Sequence, residues 1–332
     1  MRLPDAAPDS ASRVKRGLTI SLACSITNCI VAPIFAMTFL FAGGTLARAA
    51  NVDCMDTATA LEYWRPIREQ APTAEDPADE LALELVPCLG SPNSELRDQT
   101  AYELFTFWLR GTRLTDDTRR TLLGDLSEVM AKPPAAIPGN SSFARSFSAL
   151  ILSEIMRSDS NQPFMSDSER QALLDRAIQS LEQENDFRGL DAEFGWIHPV
   201  AHLADLLWRF ALHPDTTAVQ AESILDAVRD KVAPTVVAYH FNESDRLARV
   251  AATIISRNLV APDKVATWVM SFRTPTSMAK WSDAFMSPAG MAELHNTKLF
   301  LRALADQLNG GDIDWSISEA LTETVRRFTQ LI

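Results

Sequence analysis

Past Arg48 the chain repeats apolar residues at spacings of three and four almost without pause, and no run of alternating β-branched residues interrupts them. That pattern restricts the fold to packed helices. Proline, glycine, aspartate and serine mark the breaks: Pro72 to Pro77, Gly90 to Pro92, Gly111 to Thr115, Pro133 to Asn140, Ser158 to Asp167 and Gly189 to Gly195, then Pro214, Pro262, Pro275, Pro288 and Gly310 to Asp312. Helices of roughly ten to twenty residues joined by short turns are the expected elements.

A weak repeat runs through the pattern. LVPCLGSPNSELRDQTAYELFTFWL reads as a helix end, a tight turn through Gly90 and Pro92, and a second helix opening at Arg97 and Asp98, a pair expected to lock neighbouring turns. Later second helices open comparably with Arg145, with His198 and His202, with Arg246, and with His295 and Asn296. Their spacing of roughly 45 to 55 residues approaches that of HEAT repeats. The expected fold is therefore all-α, an irregular HEAT-like helical-hairpin array in one domain from residue 50 to residue 332.

Residues 1–49 read as a secretory signal. Lys15 and Arg16 precede a stretch with no charge until Arg48, and Ala47, Arg48 and Ala49 form a small-x-small site with cleavage expected after Ala49. The apolar run from Leu18 to Phe41 is also long enough to cross a bilayer, so an inner-membrane anchor over residues 17–43 is the alternative. Either reading puts the globular part outside the cytoplasm, in the periplasm or secreted.

The leader holds five of the 31 Lys and Arg and two of the 43 Asp and Glu, which leaves the remainder at a net charge of −15. Such a surface repels phosphate backbones and anionic lipid, so neither nucleic acid nor a membrane surface is an expected partner. Only Cys54 and Cys88 lie beyond the leader. An oxidising compartment permits a disulfide between them; the other reading is a buried Cys88 and a free Cys54.

Two of the five histidines fall in GWIHPVAHLADLL, Gly195 to Leu207. His198, His202 and Asp205 are spaced four and three apart, on one helix face. SFARSFSALILSEI, ENDFRGLDAEFGWIHPVAHLADLL and NTKLFLRAL, in that order, resemble a bacterial family of domains of unknown function, number twenty-seven eighty-five. The resemblance spans roughly Leu83 to Leu308. It implies an all-helical repeat fold and carries no established activity.

Three readings of the histidine stretch follow. In the first, the opening turns of adjacent helices gather Arg145, Arg188, His198, His202 and Asp205 around a peptide, a protein partner or a small anion, with Trp196 as a flat wall. This makes the protein a non-enzymatic binding or scaffold module without a cofactor. In the second, His198, His202 and Asp205 hold zinc for a hydrolase. Pro199 opposes that geometry by fixing His198 at the helix start, and no glutamate between the histidines completes H-E-x-x-H. In the third, these groups satisfy one another, with Arg145 or Arg188 on Asp191 or Asp205. Ser141, Ser142, Ser146 and Ser148 have no nucleophile-elbow context and read as caps and helix-face residues.

Overall fold

A computed structural model describes residues 52–71, 78–135 and 141–330. The chain divides into two units, Met1–Arg48 and Ala49–Ile332, and all described residues belong to the second. The expected signal or anchor over residues 1–49 lies outside the described residues. Among those described, no helix is long and apolar enough to cross a membrane.

Among the described residues there are twelve α-helices, parted at the breaks read from the sequence except between α8 and α9: α1 (Thr57–Gln70), α2 (Ala78–Leu85), α3 (Glu103–Arg110), α4 (Asp116–Met130), α5 (Ser141–Asn161), α6 (Asp167–Gln183), α7 (Pro199–Leu212), α8 (Ala218–Lys231), α9 (Glu243–Ser256), α10 (Pro262–Ser271), α11 (Pro288–Leu308) and α12 (Trp315–Thr329). Local chemistry starts many of them. Ser166 with Glu169 and Thr217 with Gln220 form capping boxes on α6 and α8. Pro199, Pro262 and Pro288 occupy first-turn positions, where a missing N–H costs nothing.

Four details depart from the sequence reading. α5 continues through Ser158 to Asn161. α11 opens at Pro288, so His295 and Asn296 lie inside it rather than at its start. ELRDQTAY, Glu95–Tyr102, is a π-helical stretch running directly into α3. Two two-residue strands, β1 (Leu190–Asp191) and β2 (Gly195–Trp196), also close a small antiparallel hairpin between α6 and α7.

α5 packs on α7, α7 on α9 and α9 on α11, while α4 packs on α6 and α6 on α8. The rows are joined through α4 with α5, α6 with α7 and α8 with α9. α5 has the most enclosed position, with even Ser146, Ser148, Glu154 and Asp159 buried. Its small side chains let its neighbours approach closely. Before α1, Cys54 is joined to Cys88 by a disulfide, tying the start of the unit to the 3-10 turn Val86–Gly90.

The buried carboxylates of α5 are satisfied by specific partners. Glu154 on α5 takes two bonds from Arg110 on α3, at 2.7 and 2.8 Å. Asp159 is fully buried, and its Oδ1 accepts the backbone N–H of Phe164 (2.8 Å) and Met165 (2.9 Å). Its Oδ2 faces Arg170 Nη1 (3.1 Å) and His213 Nε2 (3.2 Å). Burial alone would raise this carboxyl, but the His213, backbone and Arg170 bonds together hold it down to about 2.

A carboxyl held below its unfolded value stabilises the fold above about pH 4, and that contribution fades as the pH falls toward 2. Removing the charge by Asp159→Asn is therefore expected to cost about 3 kcal/mol near neutrality, by leaving Arg170 without its carboxylate and weakening the bonds to His213 and the loop. Urea unfolding at pH 7, 4 and 2.5 should show the gap between the two proteins narrowing with acid; a gap independent of pH would contradict this account.

Candidate functional site

The segment between α6 and α7 is held down residue by residue. Glu184 ends α6 and is buried; its Oε1 accepts the N–H of Asn185 (3.0 Å) and Asp186 (2.8 Å), and its Oε2 accepts Arg145 Nη2 from α5. Asp186, also buried, is gripped by Arg188 through Nε (2.9 Å) and Nη2 (2.6 Å). Lys231 at the end of α8 donates to the carbonyls of Glu182 (3.1 Å) and Glu184 (3.0 Å). Asp191 then accepts the N–H of Glu193 (2.8 Å) and Phe194 (3.0 Å), turning the chain into the hairpin.

Arg97 fastens that hairpin to the body. Its side chain is fully buried between the rings of Phe143 and Phe147, 4.5 and 4.9 Å from their centroids. Nη2 donates to the carbonyls of Phe194 (2.6 Å) and Trp196 (2.9 Å), Nη1 donates to Ser91 O (2.9 Å), and Nε lies 2.8 Å from Asp98 Oδ1. The close approach depends on Gly195, whose φ is +71° and whose missing Cβ would lie 2.8 Å from Ser94 Cβ. At Gly189 a Cβ would overlap the Phe241 ring at 2.1 Å, so glycine there lets Phe241 pack across the segment.

Above this foundation lies an open cleft of about 460 Å³, bordered by the π-helical stretch, α5, β2 and the opening turns of α7 and α9. Trp196, His198, His202 and Asp205 from the sequence reading line it. Arg145 and Arg188 do not; they are turned to Glu184 and Asp186. Their closest carboxylates are thus Glu184 and Asp186, while Arg188 also acts on Asp191 through space, as expected of it. Asp205 instead receives Arg246 Nη1 and Arg249 Nη2 from α9.

His198 and His202 are used differently. His198 adopts the left-handed conformation (φ 49°, ψ 43°) at the N-cap of α7, and its side chain makes no cap bond. Its ring stacks on Trp196, with centroids 5.0 Å apart and planes 25° from parallel, and its Nε2 lies 3.3 Å from Glu243 Oε1. Burial pushes the Glu243 carboxyl upward, but the His198 bond and backbone bonds outweigh it and leave it below its ordinary value. Asn242 repeats the left-handed cap at α9, with φ 66° and no side-chain cap bond.

His202 is buried, and its Nδ1 lies 2.8 Å from Ser146 Oγ. The Ser146 hydroxyl already donates its one hydrogen to the carbonyl of Ile197, so Nδ1–H must be the donor to Ser146. Burial, reinforced by the neighbouring His198 and Arg246, holds His202 well below its ordinary value. The ring is thus neutral, and its Nε2 carries a lone pair at the wall of the cleft, without a protein hydrogen-bond partner among the described residues; the fully buried imidazole nitrogen without one is Nε2 of His198. On the opposite side, burial raises the Asp98 carboxyl to about 6 despite the opposing pull of Arg97.

A three-ligand zinc set does not assemble from His198, His202 and Asp205. Asp205 is turned to two arginines, His198 Nε2 to Glu243 and His202 Nδ1 to Ser146. Among the described residues no group of three His, Cys, Asp or Glu side chains has the disposition to hold a metal ion. The sequence reading had not assigned Tyr102, Phe147, Phe241 or Asn242 to the site. FNESDR, carrying Phe241 to Arg246, precedes α9 much as GWIHP precedes α7, and that parallel is the signal that could have found two of them.

Fold and site together define an all-α protein with one aromatic-walled cleft at the openings of α7 and α9. Residues 138–305, just over half of the chain, match the family described as "Protein of unknown function (DUF2785)", and the chain belongs to that family. No curated protein and no solved structure matches the chain.

If Arg97 carries the hairpin, Arg97→Met should cost about 3–5 kcal/mol by leaving four carbonyls without their donor and Asp98 without its counter-charge. Arg97→Lys should recover only part, because an ammonium lacks the planar fork that meets these acceptors together. Hydrogen exchange should quicken over residues 189–198 in Arg97→Met; uniform protection there would refute the anchoring role.

Proposed function

We propose that this protein is an exported, non-enzymatic binding module, an irregular HEAT-like array whose cleft at the openings of α7 and α9 takes up a ligand. The single observation carrying this reading is the unsatisfied Nε2 of His202, a buried ring held neutral and in one tautomer by Ser146 at the wall of an open cleft. The nitrogen faces the cleft as an acceptor without a protein partner, so a ligand that donates a hydrogen bond there completes it.

The stacked rows of hairpins support the HEAT-like reading, since arrays of this type bind along the surface formed by equivalent turns. The Cys54–Cys88 disulfide supports an oxidising compartment, in keeping with the signal expected over residues 1–49. The strong pairing of Asp205 argues against the zinc-hydrolase alternative.

A crystallographic fragment screen tests the proposal. Bound fragments are expected to concentrate in the cleft with a donor on His202 Nε2, and to leave it in His202→Phe, which fills a similar volume without the acceptor. Fragments that bind elsewhere and never in the cleft would defeat the binding reading. Stoichiometric zinc in the purified protein, lost from a His198→Ala, His202→Ala double variant that remains folded, would defeat it in favour of the hydrolase.

A further inference from the structure

Resting on the binding reading above, we infer that the ligand of the cleft is a neutral, hydroxyl-bearing ring, a sugar residue, with one face on the Trp196 indole and a hydroxyl donating to His202 Nε2.

The charge around the cleft is the first reason. A small anion would need an uncommitted cation, and the arginines that the sequence offers are already opposed. Arg145 and Arg188 face away toward Glu184 and Asp186. Arg246 and Arg249 share Asp205, and Arg97 is sealed behind the hairpin with Asp98. The carboxylates are equally occupied, so neither sign of charge is left in excess to select a charged ligand.

The second reason is the indole. Trp196 is 42% exposed, a large value for a tryptophan anchored by its own backbone. His198 stacks on one face and the Phe241 ring stands at 88° to the indole, and a large part of the ring system still reaches solvent at the cleft. A flat apolar face beside water-accessible polar groups suits a ring that is apolar on its C–H face and polar around its rim.

The third reason is that the rim has both kinds of hydrogen-bonding group. His202 Nε2 can only accept. Arg246 commits one nitrogen to Asp205 yet keeps 38% of its side chain exposed, so further guanidinium N–H groups remain available to donate. The exposed Asn242 amide can do both. A hydroxyl donates and accepts at once, so adjacent hydroxyls on one ring can meet this set, whereas an aliphatic or purely aromatic ligand would leave His202 unpaired.

An immobilised glycan panel containing neutral hexoses, N-acetylhexosamines and uronic acids tests the assignment, with calorimetry for any positive and with inorganic phosphate and a Gly-Ser-Gly tripeptide as competing probes. The expected result is binding of a neutral glycan, weakened at least ~10-fold by Trp196→Ala and separately by His202→Phe, with circular dichroism and melting temperature preserved. Trp196→Phe should restore part of the affinity, which a merely disturbed fold would not do. Binding of phosphate or of the tripeptide in the cleft, with no glycan bound, overturns the sugar assignment while the binding cleft stands. No glycan bound, together with a fragment screen empty at the cleft, removes both.

Discussion

A guanidinium with no access to water must find its hydrogen bonds inside the protein, and Arg97 finds them on four carbonyls drawn from two distant parts of the chain, with an ion pair to Asp98 beside them. That requirement brings the hairpin at residues 190–196 onto the π-helical stretch and sets where Trp196 stands. His198 stacks on Trp196, and Ser146 reads the carbonyl of Ile197, so the orientation of both histidines follows from the same anchor. Lysine could not replace it, because one ammonium cannot face Ser91, Phe194, Trp196 and Asp98 together.

The rest of the buried charge follows the same logic at shorter range. Arg145 closes on Glu184, Arg188 on Asp186, Arg170 on Asp159, and Arg246 and Arg249 on Asp205. Apart from the local Arg188–Asp186 pair, each joins elements that the apolar packing alone would hold in several nearly equivalent registers, and a buried polar group confers specificity by making the wrong registers costly. Once these demands are met, little is left over. What remains at the cleft is one imidazole lone pair, the outer edges of paired side chains and a partly exposed indole.

Much of this was legible beforehand, for physical reasons. Helix periodicity and the prolines at 199, 262 and 288 are local signals, and they marked the elements well. Four of the six expected site residues share the cleft because three of them sit at fixed spacing on one helix and the fourth, Trp196, is in the turn that starts it. The two that failed, Arg145 and Arg188, failed because their partners are set by tertiary approach. Glu184 lies at the end of the neighbouring helix, and nothing in the spacing of Arg145 shows whether it points there or at the cleft. α11 was misread at its start for a similar reason: Pro288 begins the helix, while the polar pair His295 and Asn296 resembled an opening turn. Asn296 is in fact buried, accepting the N–H of Tyr239 at 2.7 Å and donating to the carbonyl of Val237 at 2.9 Å.

The two left-handed caps carry a consequence for how such a sequence changes over time. His198 and Asn242 hold positive φ angles at the mouth of the cleft, and neither uses its side chain to close the helix it begins. A backbone in that region suits glycine best and costs about 1–2 kcal/mol for most residues with a side chain. Selection for heat resistance alone would drift both positions toward glycine and would lose the imidazole and the amide as it went. Chains of this kind that keep side chains there record a pressure other than endurance, and the persistence of those two side chains among descendants would be the imprint of use.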